Sequence, residues 1–248
     1  SSDQENEYFS DGISEEIINA LANIEGVHIT SRTSSFAFKN ITKDIREIAS
    51  MLSVSYILEG SVRKSDGNVR ITAQSIKADS GFHLWSESWS RELKDIFVLQ
   101  DEIAGMIAKK VNINIRQTKN SKEITVENTE AIDSYMQGMH YLNTWDVKKG
   151  KNIIELFNRA IELEPGFAKA YLGLCNVYTW LGATGIVSIK EAHDKTAEYL
   201  ELVKGMDANI AEIYFIEGGK DFWIDWDLDK AMEKINKALV LRPSYADA

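Results

Sequence analysis

The sequence contains little proline, little cysteine and no excess of positive charge. Its 248 residues include two prolines, Pro165 and Pro243, so long stretches are free to form helices. The single cysteine, Cys175, excludes an internal disulfide, and because it lies in an apolar stretch we expect a buried thiol. The formal net charge is −10, whereas nucleic-acid recognition needs clustered lysines and arginines. We therefore expect no nucleic-acid partner for this chain.

Motifs for catalysis and for cofactor binding are also absent from the sequence. It contains no G-x-S-x-G nucleophile elbow, no P-loop and no G-x-G-x-x-G turn. The four histidines are scattered, and none has the neighbouring ligands that a metal site requires. From these absences we expect a chain that is not an enzyme and that binds neither a cofactor nor a metal.

The stretch DFWIDWDLDKA contains alternating acidic residues that resemble the start of a calcium loop. The first, third and fifth positions of that loop would be Asp225, Asp227 and Asp229. The sixth position is Lys230 instead of glycine, and the twelfth is Asn236 instead of glutamate, so the calcium interpretation fails. We expect Asp227 or Asp229 to cap a helix, and Trp223 and Trp226 to pack between neighbouring helices.

One stretch has the length of a membrane span. Residues 170–189 contain no charged side chain over twenty positions, which is long enough to cross a bilayer as a helix. However, the stretch includes several polar residues, and Gly182 and Gly185 stand where a helix would end. We therefore expect no membrane insertion by this chain.

The first half of the sequence alternates helical and strand patterns, which predicts an α+β domain over residues 1–122 with a mixed sheet and helices. Asp66 and Gly67 form a strong hairpin signal between two of the strands. The apolar residues of the strand that follows alternate with polar ones, so one face of the sheet should be covered. The expected elements are helix 7–24, strand 26–30, helix 42–52, strands 54–64, 68–78 and 81–93, and helix 95–115.

Five stretches of this half carry a family resemblance. They are EYFSDGISEEI, SRTSSFAFK, ILEGSVRKSDGNVRITAQSI, GFHLWSESWSREL and DIFVLQDEIAGMIA, and together they cover about residues 7–111. In this order they resemble the domain related to the amino-terminal domain of TolB. That family occurs in bacterial signalling proteins beside helical repeats, often downstream of a winged-helix DNA-binding domain or a nucleotide cyclase domain. It normally begins with an apolar strand before the first helix, so the resemblance implies an open sheet edge here.

The second half of the sequence contains a repeated junction between two helices. In AIELEPGFAKAYLGLCNVY, Ala160 is a small contact residue, Pro165 closes a helix, and Tyr171, Leu174 and Tyr178 lie on the helix that follows. This stretch resembles the tetratricopeptide repeat (TPR), in which each unit of about 34 residues is a helix hairpin. Further matching positions are Ala238, Pro243 and Ala208, the last where an intervening proline would stand. The resemblance implies an all-α TPR superhelical array over residues 123–248, with about three repeats and more to follow.

TPR arrays present a concave face that is built from the first helix of each repeat. By position in the repeat, the resemblance implies that a protein or peptide partner binds there. Asn176 is the sharpest candidate because an amide can hydrogen-bond a peptide backbone, although an exposed asparagine without a role is an equally good interpretation. The α/β domain is expected to dock on the first repeat through Trp85, Trp89 or its last helix. The candidate partner-binding residues are Lys169, Leu172, Asn176, Trp180, Glu212, Phe215 and Trp223.

Three functional hypotheses follow from this organisation. The first is a non-catalytic sensory or protein-interaction module of a larger bacterial signalling or transcriptional regulatory protein. The second is self-association as a homo-oligomer, through the open sheet edge or the truncated repeat end. The third is the regulatory region of a nucleotide cyclase whose catalytic domain lies outside this chain. The resemblance also favours the periplasmic side of an inner-membrane protein over the cytoplasm.

Overall fold

The computed structural model describes residues 2–22, 24, 27–65, 67–110, 126–144, 146–207, 210–223, 225–242 and 245. We call residues 2–110 the α/β unit and residues 129–241 the helical unit. The predicted domain boundary at residues 122 and 123 lies outside the described residues, as do Asp66, Ala208 and Pro243, which the repeat and hairpin interpretations used.

The α/β unit contains the helices that the sequence predicts, together with a short additional one. Its elements are α1 (Ser2–Ala22), α2 (Arg32–Phe36), α3 (Ile45–Leu52), β1 (Tyr56–Ser65), β2 (Asn68–Lys77), β3 (His83–Glu92) and α4 (Ile96–Lys110). The predicted strand 26–30 is wrong, because residues 27–30 pair with no strand. The Val27 N–H donates to the Ile24 carbonyl, and the Val27 side chain is buried, so its apolar character reflects packing in the core.

The sheet is antiparallel with the strand order β1-β2-β3, so the prediction of a mixed sheet is wrong. The reason is that consecutive strands are joined by short turns, whereas a parallel pair needs a long crossover. Gly67 adopts a φ of 75° in the turn between β1 and β2, a conformation that glycine reaches without steric cost.

One face of the sheet is covered, as the alternating pattern predicts. Val69, Ile71 and Ala73 are buried, whereas Arg70 between them is exposed. The helices that cover this face are α1, which packs on β1, and α4, which packs on β3. The α+β class of this half of the chain is therefore confirmed.

The helical unit consists of three consecutive helix hairpins. The first pairs α5 (Thr129–Leu142) with α6 (Gly150–Leu163), the second α7 (Ala168–Ala183) with α8 (Ile189–Met206), and the third α9 (Ala211–Trp223) with α10 (Leu228–Leu241). Ion pairs fix the antiparallel direction of the outer hairpins: Arg159 near the end of α6 reaches Glu130 at the start of α5, and Arg242 reaches Glu212. The prediction that helices follow the sheet is confirmed.

Phe157 is the central packing residue of the first two hairpins. It lies on α6, is fully buried, and faces Gly138 of α5 and Gly173 of α7. A Cβ atom at Gly173 would lie 2.6 Å from two atoms of the Phe157 ring, and one at Gly138 would lie 2.8 Å from it. The two glycines therefore make the room in which three helices meet around one aromatic ring.

The α/β unit and the helical unit share one hydrophobic core. Phe97 of α4 lies 6.2 Å from Tyr135 of α5 and 5.7 Å from Phe167, measured between ring centroids. The core continues without interruption from Phe9 and Ile13 of α1 into the first two hairpins. The last helix of the α/β unit thus contacts the helical unit through Phe97, whereas α1 packs along α5, a contact that the sequence did not indicate.

One further feature of α7 agrees with the sequence analysis. The thiol of Cys175 is buried between α7 and α8, and burial raises its pKa to about 12. Among the helices of the described residues, none combines the length and the apolar character that crossing a bilayer requires.

Candidate functional site

A buried carboxylate, Glu16 of α1, lies at the centre of the contact between the two units. Only 6% of Glu16 is exposed. The Tyr135 hydroxyl donates a hydrogen bond of 2.9 Å to Glu16 Oε1, and the Lys169 ammonium forms an ion pair with Glu16 Oε2. Lys169 Nζ also lies 4.9 Å from the centre of the Phe97 ring. A positive and a negative charge thus fasten α7 to α1 across a largely apolar contact.

The same environment changes the acidity of the tyrosine. Burial raises the pKa of Tyr135 well above its usual value, and the negative charge of Glu16 raises it further. The hydroxyl therefore keeps its proton and remains a hydrogen-bond donor to Glu16.

A second group of charges surrounds Asp11 of α1. Lys39 Nζ lies 2.6 Å from Asp11 Oδ1 and 2.8 Å from Glu7 Oε1, while His140 Nδ1 of α5 lies 3.2 Å from Asp11 Oδ2. Burial acts to lower the pKa of Lys39, but the hydrogen bonds with Asp11 and Glu7 outweigh it and the pKa is raised. Lys39 therefore stays protonated and forms ion pairs with both acids next to the helical unit.

A third polar contact joins β1 and α1 to α5. Asp133 accepts a hydrogen bond of 2.8 Å from the Tyr8 hydroxyl and forms an ion pair with Lys64 of β1. Asn143, at the end of α5, donates to Glu15 of α1. Three polar groups, around Glu16, Asp11 and Asp133, thus join the two units across a largely apolar contact, and we call these three groups the interface network.

The structure separates the seven predicted partner-binding residues into two groups. Four make contacts within the chain: Lys169 pairs with Glu16, Glu212 pairs with Arg242, Phe215 contacts Tyr245 with ring centroids 5.1 Å apart, and Leu172 is buried between the second and third hairpins. The other three keep exposed surface: Asn176, Trp180 and Trp223.

Asn176 and Trp180 lie on α7, on the same side as Lys169. Residues seven and eleven positions apart return to nearly the same face of an α-helix, so these three side chains follow one line along α7. Asn176 is exposed and makes no hydrogen bond within the described part of the chain, whereas Trp180 is half-buried against the core. The exposed Asn176 thus lies on the same line of α7 as Lys169, which belongs to the interface network.

The tryptophans beside the acidic stretch are exposed, which contradicts the expectation that they pack between helices. Trp223 is 68% exposed and Trp226 is 77% exposed, and Trp223 contacts Phe222 edge to face at 4.6 Å. Trp226 has a φ of 55°, in the left-handed region, in the connection between α9 and α10.

The acidic residues of that stretch bind groups of the protein. Asp227 caps α10 by accepting a hydrogen bond from the Lys230 N–H at 3.1 Å, which confirms the predicted cap. Asp225 forms an ion pair of 2.7 Å with Lys220. No group of three His, Cys, Asp or Glu side chains in the described ranges is arranged to hold a metal ion.

Glu217 connects the second hairpin to the third. It lies on α9, and its two oxygens lie 2.6 Å from Lys204 of α8 and 2.6 Å from Lys234 of α10. Burial acts to raise the pKa of Glu217, but the hydrogen bonds and positive charges of the two lysines outweigh it, and the pKa is lowered. One carboxylate thus links three helices.

This linkage predicts a specific loss of stability in acid. Because the pKa of Glu217 is lower in the folded chain than in the unfolded one, its stabilising contribution is complete above the unfolded pKa of about 4.3 and is lost as the pH falls through the folded pKa. We expect the urea midpoint of the wild type to fall more steeply between about pH 5 and pH 3 than that of Glu217→Gln. Glu201→Gln is the control, because Glu201 also bonds Lys204 but is largely exposed. An equal slope in Glu217→Gln and the wild type would contradict this account.

Comparison with known proteins adds one relative and no family. No protein-family model matches the chain. The chain is 35% identical over 192 residues to a protein of Rhizobium meliloti (strain 1021) named "Putative adenylate cyclase 3". The aligned region takes up 74% of this chain and 33% of that protein, so the chain spans about a third of the length of the relative that it matches.

This similarity corrects one expectation from the sequence. The expectation that the chain is not an enzyme is contradicted, because the relative carries the name of an enzyme. That expectation followed from the absence of known catalytic motifs, and the same chemistry can be carried out by residues that match none of those motifs. The sequence analysis also missed Glu16, although a signal was present: it lies three residues after Ile13 and next to Ile17, on the apolar face of α1. The chain is thus similar to part of a bacterial protein that is named as an adenylate cyclase.

Proposed function

We propose that this chain is the regulatory region of an adenylate cyclase. The observation that carries the proposal is the 35% identity to part of a protein with that name. In this proposal the three hairpins form a TPR array that binds a protein or peptide partner, and the α/β unit, which resembles the TolB amino-terminal domain, transmits the binding. The catalytic residues would belong to another part of the same protein.

The arrangement of α7 supports this role. Its first turn carries Lys169, which pairs with Glu16 of the α/β unit, and its exposed surface carries Asn176, about 10 Å further along the helix. A partner that binds at Asn176 and displaces α7 would therefore change the contact between the two units. Binding of the partner at Asn176 and release of the ion pair between Lys169 and Glu16 would then be linked through one rigid helix.

The test is the conversion of ATP to cyclic AMP by the full-length protein. We expect the intact protein to make cyclic AMP and Lys169→Met to change the rate by about fivefold or more, because coupling between sites usually has this size. Lys151→Met is the matched control, since Lys151 is exposed on α6 and pairs only with Glu155 within the described residues. A protein that makes no cyclic AMP would refute the cyclase assignment. Equal rates in the two variants would refute the regulatory role.

The partner site is tested separately by Asn176→Arg. A long charged side chain on the exposed line of α7 should block a partner without disturbing the core. We expect cyclic AMP in the producing cells to change while the rate of the purified protein stays the same. A variant that behaves like the wild type in cells would show that α7 is not the contact surface.

A further inference from the structure

The connection between α9 and α10 exposes a group of large apolar side chains. Trp223 and Trp226 are each more than two-thirds exposed, and the ring of Phe222 contacts that of Trp223. Leu228 and Met232 are also exposed, and because they lie four positions apart they share one face of α10. Large apolar side chains that are exposed together usually mark a binding surface. We call these five residues the tryptophan patch.

The backbone holds Trp226 in its exposed position. The Asp225 N–H donates to the Lys220 carbonyl at 3.3 Å on one side of it. On the other side, the Asp227 N–H donates to the Asp221 carbonyl at 2.9 Å. The φ of 55° at Trp226 is unfavourable for a bulky residue, whereas glycine reaches it without steric cost. A large ring that adds little to the core thus occupies a strained position, and strained residues are concentrated at functional sites.

Exposed apolar residues occur in the connections of all three hairpins. In the second hairpin, Ile186 is 59% exposed and Ile189 is 62% exposed, although the third hairpin follows. Val147, in the connection of the first hairpin, is 39% exposed. This side of the helical unit therefore stays open even where another hairpin follows. The third connection differs from the other two because its exposed side chains include two tryptophans.

The charge around the tryptophan patch is negative. Residues 220–233 contain five acidic residues and two lysines, which gives a net charge of −3. Both lysines form ion pairs with aspartates of the same stretch. Asp229 and Glu233 lie four positions apart on α10, are exposed, and form no ion pair within the part of the chain that the structure describes. This surface therefore attracts cations and repels anionic lipid.

We propose that the tryptophan patch binds a basic, amphipathic segment of a partner protein. The exposed indole rings contact the apolar side chains of that segment, and they attract its guanidinium or ammonium groups to their faces. Asp229 and Glu233 pair with further cations of the same segment. The contact uses no residue of α7, so it is independent of the partner site at Asn176.

A labelled peptide tests the contribution of the rings. The probe is an amphipathic helical peptide of leucine and arginine, about 18 residues or five turns long, and fluorescence anisotropy follows its binding to this chain. Trp223→Ala and Trp226→Gly should each weaken binding about tenfold. Ile186→Ala, which removes an exposed apolar side chain from the second connection, is the control and should change binding by less than about twofold.

The stability of Trp226→Gly separates lost binding from lost folding. Because glycine relieves the left-handed conformation, the urea midpoint of this variant should be equal to or above that of the wild type. The ring is therefore expected to contribute to binding and not to stability. A wild type that does not bind the peptide, or tryptophan variants that bind it as well as the wild type, would overturn the proposal.

Charge neutralisation tests the acidic residues of α10. Asp229→Asn combined with Glu233→Gln should weaken binding of the peptide about fivefold. Glu155→Gln combined with Glu201→Gln is the control, because it changes the net charge equally at exposed positions of α6 and α8. Asn176→Arg should leave binding unchanged. Equal effects of the two double variants would indicate general attraction to an acidic chain and would overturn the proposal.

Two other occupants of the tryptophan patch predict different results. Vesicles of phosphatidylcholine, with or without phosphatidylserine, should not sediment this chain. Light scattering should give the same mass for the wild type and for the two tryptophan variants. Vesicle binding or self-association that is lost in Trp223→Ala and Trp226→Gly would assign the patch to a membrane surface or to a second copy, and either result would overturn the proposal.

Discussion

Replacing Phe157 with alanine is expected to lower the free energy of unfolding by about 4 kcal/mol. The ring is fully buried where α5, α6 and α7 meet, and large-to-small changes of this kind leave a cavity that rigid helices cannot close. Urea unfolding followed by circular dichroism measures the effect. Phe157→Leu keeps most of the volume and should cost only about 1 kcal/mol. A loss below 1 kcal/mol in the alanine variant would contradict the packing described here.

Gly173, one of the two glycines that face this ring, provides a sharper test. Its change to alanine should destabilise the wild type but stabilise the Phe157→Ala variant. In the wild type, Gly173→Ala should destabilise by about 1–3 kcal/mol, since the new methyl group would overlap the Phe157 ring. In the Phe157→Ala background the same change should stabilise, because the methyl group enters the cavity and alanine favours the helix by about 1 kcal/mol. Destabilisation in both backgrounds would show that another neighbour sets the limit at this position.

Replacing Lys169 with methionine is expected to lower the free energy of unfolding by about 3 kcal/mol. The change leaves the carboxylate of Glu16 buried without its cation, and removing one partner of a buried ion pair is much more costly than removing both. Methionine keeps the length of the side chain, so that lost packing contributes little. The measurement is again urea unfolding at neutral pH.

A double-mutant cycle separates charge from packing at this site. Glu16→Leu together with Lys169→Met should recover most of the stability that Lys169→Met loses, because no uncompensated charge remains. Lys151→Met on the exposed face of α6 should change stability by less than about 0.5 kcal/mol. Additive losses in the two single variants would mean that Glu16 and Lys169 do not act as a pair.

The fold could be predicted from the sequence where its signals were local. Alternation along β2, the turn at Gly67 and the apolar stripe of α6 each reflect the period of one element, and these elements form as expected. The prediction of a strand at residues 26–30 was wrong because it also depended on a local pattern alone. A short apolar stretch such as Val27 to Ile29 fits a strand and a buried loop equally well. Local pattern alone cannot decide which of the two the rest of the chain will stabilise.

The candidate site depends on contacts between distant parts of the chain, and these were not predictable. Lys169 matches a partner-binding position by its place in the repeat, yet its charge is paired with Glu16, 153 residues away. Trp223 was expected to be covered by a neighbouring helix, yet 68% of it is exposed. Position within a repeat gives the side of a helix, whereas only the packed structure shows what lies against that side.

The contact between the two units is made of aromatic rings from both sides: Phe97 from the α/β unit, and Tyr135 and Phe167 from the helical unit. This has a consequence for how the chain can evolve. A change of volume in one ring needs a compensating change in a ring on the other side of the contact. The two halves are therefore constrained to diverge together. A recombination event that moved either unit alone into another protein would expose these aromatic side chains to solvent. We therefore expect the α/β unit and the helical unit to be inherited together.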